Sequence, residues 1–145
     1  MKRVHQGPSG MSALFELRCF AEFAKTIALQ PLLRITGKGE GQPVVIAPAF
    51  MLADGGSVYL RRYLNKMGFA AYGWKQGRNS GIDSRKLDGL RRLVEELAEQ
   101  HQQPVSLVGW SLGGVYMRTI AALHPELVRQ VITLGPPFNA PTMDA

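Results

Sequence analysis

The 145-residue chain holds one cysteine, Cys19, and only three histidines, the last at position 124. A lone cysteine cannot close an internal disulfide, rules out metal centres built on cysteine sets, and agrees with a reducing compartment. No apolar stretch reaches the ~18 residues of a membrane span before a charge interrupts it. The start has no compact apolar segment followed by a small-residue cleavage site. The reading is a cytoplasmic protein with no transmembrane segment.

Acidic residues are also in short supply, 11 against 17 Lys and Arg, for a net charge of +6. That excess brings nucleic acid into consideration. However, Arg61, Arg62, Lys66, Arg85, Lys86, Arg91 and Arg92 fall mostly on predicted helices, and Glu95, Glu96 and Glu99 follow on the same helix. Arg91 with Glu95 and Arg92 with Glu96 are the four-apart pairs of a solvated helix face. No helix-turn-helix, zinc or RNP pattern surrounds them. A wet surface accounts for the charge, and no nucleic-acid partner is expected.

What is present is ordinary globular material, 46% apolar and 19% charged, enough for one domain with a core. Residues 1–11 read as a flexible tail. Residues 12–35 read as a helical segment, "SALFELRCFAEFAKTIALQPLLR", whose Leu14, Leu17, Ala21, Ala24 and Ala28 recur at helical spacing until Pro31 interrupts. Its mixed charges, Glu16 and Glu22 beside Arg18 and Lys25, favour packing on a domain over lying on a membrane. Residues 36–43, "TGKGEGQP", read as a linker, and their glycines lack the GK[ST] of a phosphate loop.

From residue 44 to 145 the chain alternates. Strands are expected at Val44–Ala47, Phe69–Tyr72, Val105–Val108 and Val131–Leu134. Helices are expected at Ser57–Met67, Ser84 to about Gln102 and Leu112–Leu123. Strands that are apolar without alternation, separated by helices, argue for a parallel sheet covered on both faces. The expected class is α/β, a three-layer sandwich with about four mostly parallel strands.

The third strand runs through Gly109-Trp110-Ser111-Leu112-Gly113 into a helix. This is G-x-S-x-G in the setting that makes it a nucleophile elbow, a strand, a sharp turn and a helix. A strained turn lifts the serine hydroxyl above the sheet, and the close backbone approach leaves room for little beyond glycine at 109 and 113. The helix that follows aims free N–H groups at the same place, so the Leu112 amide is a candidate oxyanion donor. A dinucleotide fingerprint fits worse. Trp110 and Ser111 stand where pyrophosphate needs a bare backbone, and "VITLGPP" ends in glycine where an acidic ribose ligand belongs. Nothing in the pattern asks for a cofactor or a metal.

"VVIAPAF" (44–50) together with "SLVGWSLGGVYMRTIAALHPELVRQVITLGPPF" (106–138) resembles the first half of an α/β-hydrolase, close to lipase- or esterase-like members with a helical N-terminal extension. The resemblance implies sheet order 69, 44, 105, 131, with Ser111 as nucleophile and Gly109 and Gly113 as elbow glycines. It implies a second oxyanion donor in the loop after the first strand, the N–H of Phe50 or else Met51, with Ala49 standing where such loops carry glycine. It implies a small-molecule ester or lipid-like substrate for the whole protein.

The acid and histidine of such a triad follow the fourth strand, and no histidine follows Leu134. His101 precedes the third strand, roughly 16 Å of extended chain below the elbow. His124 lies roughly 18 Å down the following helix. His5 is in the tail, and Asp144 has no histidine after it to orient. The expectation is a shortened hydrolase with weak or no turnover, whose apolar strand Val131–Leu134 is an open edge suited to self-association. Two alternatives are a non-catalytic interaction module and an acyltransferase using the same serine.

Overall fold

A computed structural model describes residues 38–135. The expected tail (1–11), the helical segment (12–35) and the terminal loop with Phe138 and Asp144 lie outside the described residues, as does the start of the 36–43 linker.

Four parallel strands form one sheet: β1 (Pro43–Ala47), β2 (Ala70–Gly73), β3 (Val105–Trp110) and β4 (Val128–Leu134), in spatial order β2-β1-β3-β4. Three α-helices connect them: α1 (Val58–Lys66), α2 (Ser84–His101) and α3 (Leu112–Leu123). Period-two alternation along β1 and β3 splits their side chains between two layers. Val45, Ala47, Val105 and Leu107 meet α2 and α3 through Leu87, Leu90, Val94, Leu97, Tyr116 and Ile120. Val44, Ile46 and Val108 meet Leu60 and Leu64 of α1 on the opposite face. The sheet therefore sits between helical layers, as the alternation of elements required.

Local chemistry explains the boundaries. The Asp83 carboxylate caps α2 by accepting the Arg85 N–H at 2.9 Å, the role that favours Asp at a helix start. Its apolar residues fall three and four apart and all turn to the core. The helix closes on Gln102 in the left-handed conformation, φ 53°, just before Pro104. Arg91 and Glu95 pair at 2.6 Å on the exposed side, a contact worth little in water.

Two features depart from expectation. β4 starts at Val128, not Val131, because Val128 and Gln130 pair with Val105 and Ser106 across a register shift. And coverage on both faces holds for β1 but not for β4, where Ile132 and Leu134 are each 45% exposed. Among the described residues β4 pairs only with β3.

Candidate functional site

Parallel strands bring their carboxyl ends to one side of the sheet, and register places Ala47 beside Gly109 and Trp110 beside Leu134. Ser111 follows directly from β3 and precedes the first residue of α3. Its backbone stands at φ 49°, ψ −118°, a conformation that a residue with a Cβ avoids and that costs about 1–3 kcal/mol. The surroundings impose it. The Ser111 N–H donates to the Leu134 carbonyl at 2.8 Å and its carbonyl accepts the Gly114 N–H at 2.9 Å.

The flanking glycines are fixed by space. A Cβ on Gly109 would stand 2.5 Å from the Gly114 nitrogen and 2.6 Å from the Gly113 oxygen. On Gly113 it would stand 2.5 Å from the Ala47 oxygen and 2.7 Å from the Pro48 oxygen. All four are backbone atoms that cannot swing aside, so the β3–α3 turn presses directly on the end of β1.

That contact joins Ser111 to the loop after β1. Ala49 accepts the Leu52 N–H at 3.1 Å, closing a tight turn over Ala49–Leu52 whose third residue, Met51, has φ 63°. Ala49 needs no positive φ, so its methyl group fits where a glycine was the resemblance's norm. The Met51 N–H is taken, donating to the Asn79 carbonyl at 2.7 Å. Among the described residues neither the Phe50 N–H nor the Leu112 N–H, the latter at the open start of α3, has an acceptor.

The loop is braced from below by residues the sequence did not single out. Asn79, fully buried, donates from Nδ2 to the Pro48 carbonyl at 2.8 Å and from its N–H to the Leu52 carbonyl at 2.8 Å. Its own segment is held by Tyr116 of α3, whose hydroxyl donates to Gly81 at 2.7 Å and accepts the Asp83 N–H at 2.8 Å. Burial raises the Tyr116 pKa, the hydrogen bond from Asp83 working the other way. Trp74, wholly in the core, donates from Nε1 to Gly77 at 2.8 Å and packs edge-on against Tyr116. Asp54 accepts the Trp74 and Lys75 N–H groups at 3.0 and 3.2 Å, tying the β1 loop to the end of β2. A polar Asn between glycines reads as exposed loop, so no local signal marked it.

No imidazole among the described residues joins Ser111. His101 hydrogen-bonds the Tyr72 hydroxyl at 2.9 Å, before the start of β3, at the opposite end of that strand from Ser111. His124 stands 3.7 Å from Glu126 beyond the far end of α3. No cluster of His, Cys, Asp or Glu among the described residues is arranged to hold a metal, and no described helix is long and apolar enough to cross a membrane.

Comparison with known proteins gives a likeness over the second part of the chain. Residues 81–145 match the family model described as the alpha/beta hydrolase fold, and the sheet order β2-β1-β3-β4 with helices on both faces is the architecture expected of it. The four-stranded parallel sheet with its helices is consistent with a partial alpha/beta hydrolase fold. A 50-residue stretch is 34% identical to the biotin biosynthesis bifunctional protein BioHC of Teredinibacter turnerae, covering 34% of this chain and 9% of that protein. The chain thus aligns with a small part of that relative's length. The matched residues include β3, the Ser111 turn, α3 and β4.

Proposed function

We propose that Ser111 is the nucleophile of a lipase- or esterase-type serine hydrolase. The observation that carries the reading is the Ser111 backbone at φ 49°, ψ −118°, with the N–H groups of Leu112 and, in the loop packed against the same turn, Phe50 without acceptors among the described residues. Strain of that kind at a helix start is what a scaffold tolerates for chemistry. Ser111 Oγ attacks an ester carbonyl, the carbonyl oxygen becomes an oxyanion held by the Phe50 and Leu112 N–H groups, and the alcohol leaves with the serine proton. Water then cleaves the acyl-serine to the carboxylic acid and restores the hydroxyl.

The rim favours an apolar acyl group, because Phe50 is 56% exposed, Met51 49% and Trp110 46% around the carboxyl ends of β1 and β3. A small ester or lipid-like molecule therefore suits the site better than a charged one. Among the described residues no imidazole joins Ser111, so within them the serine proton passes to hydroxide or solvent. Oxyanion donors lift the rate above that in water even without a base. Transfer of the acyl group to an alcohol uses the same intermediate.

The test is a fluorophosphonate probe on the full chain, followed by mass mapping. Slow labelling confined to Ser111, faster at alkaline pH and lost in Ser111→Ala, is the expected result. Labelling that persists in Ser111→Ala, or none after prolonged exposure, overturns the reading. A second reading, an association module, draws on the exposed Ile132 and Leu134 of β4 and its one pairing among the described residues. Light scattering that finds a monomer across a wide concentration range removes it.

A further inference from the structure

We infer that Asn79 is a positioning residue that selects which amide of the β1 loop faces the oxyanion, an inference that rests on Ser111 as nucleophile. The loop tip offers two adjacent N–H groups, those of Phe50 and Met51, and both cannot serve. Asn79 decides between them with three hydrogen bonds. Its carbonyl takes the Met51 N–H at 2.7 Å, its N–H holds the Leu52 carbonyl at 2.8 Å, and its Nδ2 holds the Pro48 carbonyl at 2.8 Å.

These contacts bracket Phe50 on both sides. The Pro48 carbonyl is also one of the atoms against which Gly113 packs, so the Asn79 amide fixes it relative to the Ser111 turn. With Pro48, Met51 and Leu52 all anchored, the one donor at the tip without an acceptor among the described residues is the Phe50 N–H.

The side chain is poorly explained as a stabilising strut. Its Oδ1 is buried and has no hydrogen-bond partner among the described residues, which is costly for a buried acceptor. An amide whose oxygen gains nothing is held here for its nitrogen, and the nitrogen acts on Pro48. Tyr116 and Lys86 in turn hold the segment that carries Asn79, through Gly81, Asp83, Arg78 and Ser80.

The experiment is amide NMR on the 15N-labelled full chain, free and as the Ser111 phosphonate adduct, in wild type, Asn79→Asp and Asn79→Ala. In the free wild type, the Met51 amide exchanges with solvent at least about tenfold more slowly than that of Phe50. On adduct formation the Phe50 and Leu112 amide protons move downfield and Met51 does not. In both variants the Leu112 shift remains and the Phe50 shift falls to less than half. A purely structural loss would weaken both shifts together, so the split between them is the diagnostic. An unchanged Phe50 shift in the variants overturns the role of Asn79, as does a shift at Met51 in wild type. If no adduct forms, the Ser111 reading fails and takes this inference with it. If neither variant folds, wild type still decides, because a Met51 amide exchanging as fast as Phe50 overturns the selection.

Discussion

Removing the Cβ at position 111 should stabilise the protein. Ser111 sits at φ 49°, ψ −118°, and such a conformation costs a non-glycine residue about 1–3 kcal/mol. Glycine escapes that strain but loses ~0.4–1 kcal/mol through the greater freedom of its unfolded chain. The balance favours Ser111→Gly over Ser111→Ala by roughly 1 kcal/mol. The comparison is clean because both variants lack the hydroxyl and both keep the 2.8 Å bond from residue 111 to Leu134. Urea unfolding of the full chain followed by circular dichroism measures the difference. In a thermal scan it corresponds to roughly 4–8 °C for a domain of this size. An alanine variant as stable as the glycine variant would refute the claim that strain is stored at this corner, and with it the main support for Ser111 as nucleophile.

Gly113→Ala is expected to cost about 3 kcal/mol, at the upper end for overpacking, because its Cβ would stand 2.5 Å from the Ala47 oxygen. Urea unfolding checks this, with Gly55→Ala, whose Cβ meets nothing within 4 Å, as the near-neutral control. Asp83 gives a pH signature. The Arg85 N–H holds its carboxyl below its ordinary value of 3.8, so the folded state favours the ionised form. Its contribution is present above pH 3.8 and is lost as pH falls through the lower folded value. The stability gap between wild type and Asp83→Ala should therefore be constant near neutrality and close in acid, and a gap independent of pH down to unfolding would contradict it.

The alternation of strands and helices and the Ser111 turn were legible because both rest on short-range pattern, whereas the sheet order came from the resemblance. Apolar runs at 44–47 and 105–108 recur with helices between them, and the two glycines two residues either side of Ser111 are demanded by backbone contact. Val128–Gln130 was not legible. "VRQ" looks like a polar connection, and only its pairing with Val105 and Ser106, plus the Gln130 amide donating to the Ser106 hydroxyl at 3.3 Å, makes it strand. The occupied Met51 N–H was equally hidden, since its acceptor is the carbonyl of Asn79, 28 positions beyond it in the chain.

The bond between Ser111 and Leu134 makes the strained corner a tenant of β4, the edge strand among the described residues. Its unusual backbone angles have no covalent latch; they hold while the last residue of that border strand stays docked. Fraying of a few terminal residues there would let the bend relax toward ordinary angles and silence the hydroxyl while the rest of the sheet stayed intact. Loss of reactivity on mild warming should thus precede loss of secondary structure.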